Sequence, residues 1–280
     1  MSRQSAWQSI TAQRSDMTLK AISSRDNPLY KELKQLATSA QARRRAGRTL
    51  LDGVHLCESY LQKVGYPPLC IVSEQALSNA EAAGIVEHCA QGATQRIVLP
   101  ENLFRALSQV EHGIDILFII DTPALPLPQR LSQSAVLLDN VQDPGNFGSI
   151  VRSAAAAGIE QIYCSIGTTA AWSPKVLRAG MGAHFLLQIF ENVDLAELVH
   201  HADVPVIATS SHADKRLYDL DLTQSVAWLF GHEGQGVTPS LLEQATHRIT
   251  IPHLGEVESL NVAASSAVCF FEQVRQKTAR

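Results

Sequence analysis

The stretch LDNVQDPGNFGSIVRSAAAAG, residues 138–158, decides the reading of the fold. An apolar run ends in Asp139-Asn140. A turn rich in Asp, Pro, Gly and Asn follows, and a helix opens at about Asn146. Strand, tight turn and helix in that order form the first part of a βαβ unit. The small residues Ala154 to Ala157, followed by Gly158, let another backbone pack closely against this helix. Asn146, Ser149 and Arg152 lie near its start. Six residues are fewer than two helical turns, so Asn146 and Arg152 cannot both sit deep in a core. On spacing alone, a capped helix with a surface arginine and a polar site at a strand end both remain open.

The same rhythm continues downstream. AVLLDN, QIYCS, LLQIF, VPVIATS, VAWLFG and RITIP read as strands. Helices are expected to start near Asn146, Pro174, Asp194 and Thr238, with a last long one from about Leu260 to Lys277. Apolar strands separated by helices indicate a parallel sheet covered on both faces, with right-handed crossovers. Upstream, TPALPLPQRLSQS holds three prolines in six residues and reads as a linker over 122–133. It separates a domain over 134–280 from a smaller α/β domain over 17–121. In that smaller domain GVHLCESYLQKVG, residues 76–90 and ENLFRALSQ read as helices, and PLCIVS, RIVL and IDILFII as strands. Leu29, Leu33 and Leu36 suit a helix opened by Asn27-Pro28. Residues 1–16 are polar and aperiodic and are expected to be a disordered lead, with Met17 a candidate start.

The chain has 280 residues, a hydrophobic fraction of 45% and a charged fraction of 18%, which excludes a mostly disordered protein. No stretch approaches the ~20 apolar residues of a membrane-spanning helix, and the N-terminus lacks the apolar core of a secretory signal. A cytoplasmic protein with no membrane partner is expected. Five scattered cysteines, without C-x-x-C or zinc-finger spacing, read as free thiols, and no metal site is expected. The adjacent His200 and His201 would point apart on a helix. Net charge is −4, so any polyanion site must be a local patch. The segment from Lys20 to Arg48 supplies one: eight cationic and two anionic side chains, including Arg43, Arg44 and Arg45.

Ligands of parallel sheets bind beyond the carboxyl ends of strands. Two further strand-ending loops stand out there. LFGHEGQGV, residues 229–237, places three glycines after a strand, so its backbone amides are expected to be open to a ligand. It has neither the dinucleotide fingerprint nor a phosphate-loop lysine. Glu233 inside it suits a cationic partner such as an arginine or a sulfonium. IPHLGEVESLNVAASSAVCFFE, residues 251–272, bends at Gly255 and leads into the final helix, with Ser259 read as its N-cap. Asn261 is then poorly explained, because Asn is weak inside a helix. Residues 262–271 are small or apolar on every face, which calls for burial or for a partner subunit.

At these residues the chain resembles the SpoU (TrmH-like) branch of the SPOUT RNA methyltransferases. The resemblance covers residues 134–275. Asn146, Gly148 and Arg152 match the first family motif, Asn-x-Gly-x-x-x-Arg. Phe230, Gly231, Glu233 and Gly236 match the second. Ile251, Pro252, Ser259, Leu260 and Asn261 match the third. Residues 20–120 look like the RNA-binding domain that precedes the catalytic one in many members, which commonly carry Glu-Gly where this chain has Asp52-Gly53.

The resemblance implies an α/β SPOUT domain with a deep trefoil knot, a homodimer with the final helix in its interface, and S-adenosylmethionine as cofactor. It implies methylation of a ribose 2′-hydroxyl in ribosomal or transfer RNA, with no DNA partner. Arg152 would assist loss of the hydroxyl proton or stabilise the alkoxide. Asn146, Glu233, Ser259 and Asn261 would position it and the nucleotide. Backbone at Gly231, Ile251 and Leu260 would hold the cofactor, with Thr209 a fourth contact. Arg43, Arg44 and Arg45 would bind RNA. A non-catalytic RNA- or ribosome-binding protein with the same fold is the alternative.

Overall fold

The computed structural model describes residues 19–110 and 112–279. The lead expected over 1–16 lies outside the described residues. The chain divides into two compact units, with the boundary between Thr122 and Pro123.

In the first unit a five-stranded sheet has the order β1-β4-β3-β5-β2. Its strands are β1 (Lys20–Ala21), β2 (Arg48–Asp52), β3 (Leu69–Ser73), β4 (Gln95–Leu99) and β5 (Ile116–Asp121). The first three strands in that order run parallel, while β5 is antiparallel to both β3 and β2. Helix α1 (Pro28–Thr38) starts where expected. The Asn27 side chain accepts hydrogen bonds from the Leu29 and Tyr30 N–H groups, Pro28 opens the first turn, and Tyr30, Leu33 and Leu36 go into the core. Helix α2 (Ala40–Ala46) is capped by Ser39 and stops at Gly47, which takes a left-handed φ of 60°.

Helix α3 (Val54–Lys63) follows β2. The helix expected over 76–90 splits into a short 3-10 turn and α4 (Ala80–Ala90), because the Asn79 side chain caps the Glu81 and Ala82 N–H groups. Helix α5 (Glu101–Phe104) is shorter than ENLFRALSQ suggested. Strands β1 and β2 were not legible in the sequence. One has two residues, and the other follows directly on the helix stop at Gly47.

The second unit carries a seven-stranded sheet of order β10-β12-β9-β11-β6-β7-β8, parallel throughout. Its strands are β6 (Ala135–Leu138), β7 (Gln161–Ser165), β8 (Gln188–Val193), β9 (Val206–Thr209), β10 (Lys215–Arg216), β11 (Ala227–Phe230) and β12 (His247–Thr250). The helices are α6 (Pro144–Ala156), α7 (Pro174–Gly180), α8 (Leu195–His200), α9 (Pro239–Gln244) and α10 (Val262–Thr278). The sheet order reverses at β6: β7 and β8 extend one way, and β11 is inserted late between β6 and β9. Register pairs Phe230 with Leu138 and Ile249 with Thr209. The loops after β6, β9, β11 and β12 therefore open side by side at one sheet edge, beyond a topological switch point.

Close packing explains one motif residue. A Cβ built on Gly148 of α6 would lie 2.4 Å from the Ala179 Cβ and 2.8 Å from the backbone of α7. The first-motif glycine is therefore a helix-contact residue. Helix α10 is held by polar ties as well as packing. The Trp228 indole N–H donates to the Gln273 side chain at 3.1 Å, and the Gln276 amide bonds the Leu220 carbonyl and the Leu222 N–H. Ser266, Cys269 and Phe270 are buried while Phe271 is 49% exposed, so this chain alone does not cover the helix on every face.

His184 is buried at 1% exposure in the turn Ala183–Leu186. Its Nε2–H donates to the Ala171 carbonyl at 3.1 Å, and its Nδ1 has no partner among the described residues. Burial lowers its pKa from 6.5 to about 4. Above pH 6.5 the ring is neutral in both folded and unfolded chains and contributes no pH dependence. As pH falls from 6.5 toward 4 only the unfolded chain takes up the proton, so stability is lost, by about 3 kcal/mol once below both values. Urea midpoints at pH 7 and 4.5 should differ more for wild type than for His184→Gln. Equal differences would rule out this source.

Candidate functional site

The carboxyl ends of β9, β11 and β12 and the start of α10 enclose a pocket of about 480 Å³. Thr209, Gly231, Glu233, Ile251, Ser259 and Leu260 all line it. Asn146, Asn261 and Arg152 do not.

The loop after β11 folds back on itself. The His232 N–H donates to the Gly236 carbonyl at 3.0 Å and the Gly236 N–H returns to the His232 carbonyl at 2.8 Å. The Gly234 and Gln235 N–H groups both donate to His232 Nδ1, at 2.9 and 3.2 Å. These amides are consumed inside the loop, so the expectation of open backbone amides fails: a histidine the motifs do not use satisfies them. Gly231 is required sterically, because its Cβ would lie 2.1 Å from Gly236 C and Val237 N. Gly236 takes a φ of +72°.

One residue from each motif meets at a single junction. The Asn146 Nδ2 donates to Glu233 Oε1 at 3.0 Å, and the Asn261 Nδ2 donates to Asn146 Oδ1 at 2.9 Å. Glu233 also accepts the Gln142 N–H at 3.1 Å and the Asp143 N–H at 3.0 Å. Asn261 Oδ1 accepts the Ala263 and Ala264 N–H groups and caps α10. The direction of the chain is set by chemistry. An ionised carboxylate only accepts, so it takes the Asn146 NH₂; the freed Asn146 oxygen takes the Asn261 NH₂; the Asn261 oxygen then faces the helix.

Burial acts to raise the Glu233 pKa. The hydrogen bonds from Asn146, Asp143 and Gln142 outweigh it and leave the carboxyl below its ordinary value. The carboxylate is thus the stable form at neutral pH, and its support of the junction is lost only as pH falls through the lowered value. Within this chain Glu233 is held by three N–H donors.

Asn261, not Ser259, is the N-cap of α10. The helix starts at Val262, two residues later than expected, because the loop stays irregular and exposed through Leu260. That resolves the position of Asn261: it stands outside the helix, where Asn is favoured. Ser259 is exposed at the pocket rim. Arg152 is exposed on α6, six residues beyond Asn146, about 9 Å along the axis and roughly 120° around it. It makes no hydrogen bond or ion pair among the described residues.

In the first unit Arg43 turns inward and donates from its guanidinium to the Leu36 carbonyl at 2.7 Å, closing the end of α1. Burial, then the neighbouring Arg44, lowers its pKa. Arg44 and Arg45 are exposed. Sequence reading missed Asp139, whose buried carboxylate accepts the Thr238 N–H at 2.8 Å and ties the β6 end to the start of α9. Its signal was the Asp-Asn ending of the apolar run. All five cysteines are buried and free. No helix among the described residues is long and apolar enough to cross a membrane.

Residues 133–271 match the SpoU rRNA Methylase family. An uncharacterized tRNA/rRNA methyltransferase of Synechocystis is 34% identical over 92% of this chain and 95% of its own length. A 23S rRNA guanosine 2′-O-methyltransferase of Bacillus subtilis, RlmP, is 28% identical over 90% of this chain and 98% of its own. The SpoU methyltransferase AviRb of Streptomyces viridochromogenes, solved in complex with AdoMet, shares the fold with a TM-score of 0.79 at 23% identity, over 90% of this chain and 98% of that one. With three motifs converging at one junction and relatives matched nearly end to end, this chain belongs to the SpoU rRNA methylase family.

Proposed function

We propose that this protein is an S-adenosylmethionine-dependent RNA methyltransferase that methylates a ribose 2′-hydroxyl in ribosomal or transfer RNA. The observation that carries the reading is the Asn146–Glu233–Asn261 junction beside the strand-end pocket. The pocket suits the donor. Its volume falls in the ordinary range for cofactor sites, and its lining holds Glu233 and Glu258 with no lysine or arginine among the described residues. That charge favours a sulfonium over a phosphate. Backbone at Gly231, Ile251 and Leu260, with Thr209, would hold the adenine and ribose.

When bound, the donor supplies an electrophilic methyl carbon. The chain must orient the ribose hydroxyl toward it and stabilise the oxygen as its proton departs. Arg152 fits the second task electrostatically, since a guanidinium keeps its charge at working pH. Its nucleotide-positioning partners are Asn146, Glu233, Ser259 and Asn261. Arg152 is not among the pocket-lining residues, and α10 leaves Phe271 half exposed. Both features support a homodimer in which two chains complete each site. The late insertion of β11 and the docking of α10 on α6 support a threaded trefoil knot in the C-terminal segment. The reading includes a smaller RNA-binding domain over 17–121, a linker over 122–133, a catalytic domain over 134–280 and a cytoplasmic location.

Titration calorimetry with S-adenosylmethionine, followed by 2′-O-methyl mapping in RNA from a strain lacking the protein, tests the assignment. One donor site per chain and one lost methyl group are expected. Donor binding without any lost methylation would favour a non-catalytic RNA-binding role, and absence of donor binding would end the assignment.

Arg44 and Arg45 are the exposed members of the basic cluster. The double variant Arg44→Ala/Arg45→Ala should weaken RNA binding and flatten the log–log salt slope by about 1–2 units. An unchanged slope would show a solvated helix face instead.

A further inference from the structure

His253 stands between the two halves of the third motif and matches none of its positions. Its Nδ1 is 3.1 Å from the Ile251 carbonyl oxygen and its Nε2 is 2.8 Å from the Val257 carbonyl oxygen. Carbonyl oxygens only accept, so a bond needs a proton on the facing ring nitrogen: the neutral ring bonds one of the two carbonyls at a time, and the imidazolium bonds both. The two contacts span the loop that carries the chain from β12 to Ser259 and Leu260.

Among the described residues, no other hydrogen bond is made by residues 252–260. Packing does not hold it either, since Leu254 is fully exposed and Val257 is 57% exposed. A segment without buried apolar contacts or backbone pairing samples many conformations at little cost. Yet Ile251 at its start and Ser259 and Leu260 at its end both line the pocket, as His253 itself does.

We propose that His253 is a positioning residue for the methyl donor: its imidazole clamps the loop so that Ile251 and Leu260 stand pre-arranged around the pocket. The clamp rests on the donor reading of that pocket. It acts by lowering the ordering cost of binding, so it governs donor affinity rather than the chemical step.

The test is donor affinity and steady-state kinetics for wild type, His253→Ala and His253→Gln. Loss of the ring and its carbonyl contacts should raise the donor Kd and KM about tenfold in His253→Ala, with kcat, RNA affinity and melting temperature held. The Gln amide can donate to one carbonyl but lacks the rigid ring that reaches both, so His253→Gln should fall between the two. A general structural role would lower the melting temperature and kcat together, and would overturn the clamp. So would donor affinity in His253→Ala equal to that of a donor-binding wild type. Should His253→Ala fail to fold, His253→Gln decides alone: an unchanged donor KM overturns the proposal. Wild type that binds no donor would instead overturn the pocket assignment, and the clamp with it.

Discussion

Arg152→Ala should reduce methyl transfer by about 10²–10³-fold while leaving donor affinity unchanged. That magnitude is typical for removing one charge-stabilising group from a transition state. The side chain is exposed on α6 and has no partner among the described residues, so its removal leaves no buried group stranded. Alanine is also the strongest helix former, so α6 persists. An effect on turnover without an effect on stability is therefore diagnostic. Arg152→Lys should recover only part of the rate, because an ammonium lacks the planar fork that can hold a phosphate and the developing alkoxide together. Single-turnover rates with labelled donor measure both variants. Arg152→Ala turning over at the wild-type rate would remove this residue from the mechanism.

The second large effect is expected at Glu233. Glu233→Ala removes the acceptor for the Gln142 and Asp143 N–H groups and the Asn146 amide at once. Water can reach these groups, which limits the stability cost, but the orientation of the junction is lost. Asn146 would be free to flip, and Asn261 would lose its defined acceptor. Turnover should fall roughly 30- to 100-fold, the equivalent of about 2–3 kcal/mol. Because Asn146 and Glu233 act as one unit, the double variant Asn146→Ala/Glu233→Ala should be little worse than Glu233→Ala. Fully additive losses would show that the two residues act separately and that the directional chain is irrelevant to the reaction.

The parts of the site that were legible in the sequence are those set by local chemistry. Apolar runs ending in Asp139-Asn140, in Phe230-Gly231 and in Ile251-Pro252 marked strand ends, and strand ends are where parallel sheets expose ligand-facing loops. Asn27 and Pro28 marked a helix start, since capping involves only neighbours in the chain. The assignment of Ser259 as a cap went astray for a related reason. Two good capping residues stood two positions apart, and local preference could not choose between them. Asn261 takes the role because its amide nitrogen also reaches Asn146, 115 positions away in the chain.

Other features depended on contacts that no local rule contains. Glycines 231, 234 and 236 suggested open amides, but once the loop closes the His232 ring takes the Gly234 N–H and its carbonyl takes the Gly236 N–H. Arg43, Arg44 and Arg45 looked equivalent, but the bend between α1 and α2 turns Arg43 onto the Leu36 carbonyl. Strand β1 has two residues and exists only because β4 offers an open edge.

By itself, then, the sequence determined the α/β rhythm, the strand-ending loops and the residue types they present. Hydrophobic period and capping act over a few residues and are written locally. Tertiary structure decided the order of strands in the sheet, and with it the meeting of Asn146, Glu233 and Asn261. That order follows from how long-range crossovers bury apolar faces, and sequence separation alone does not encode it.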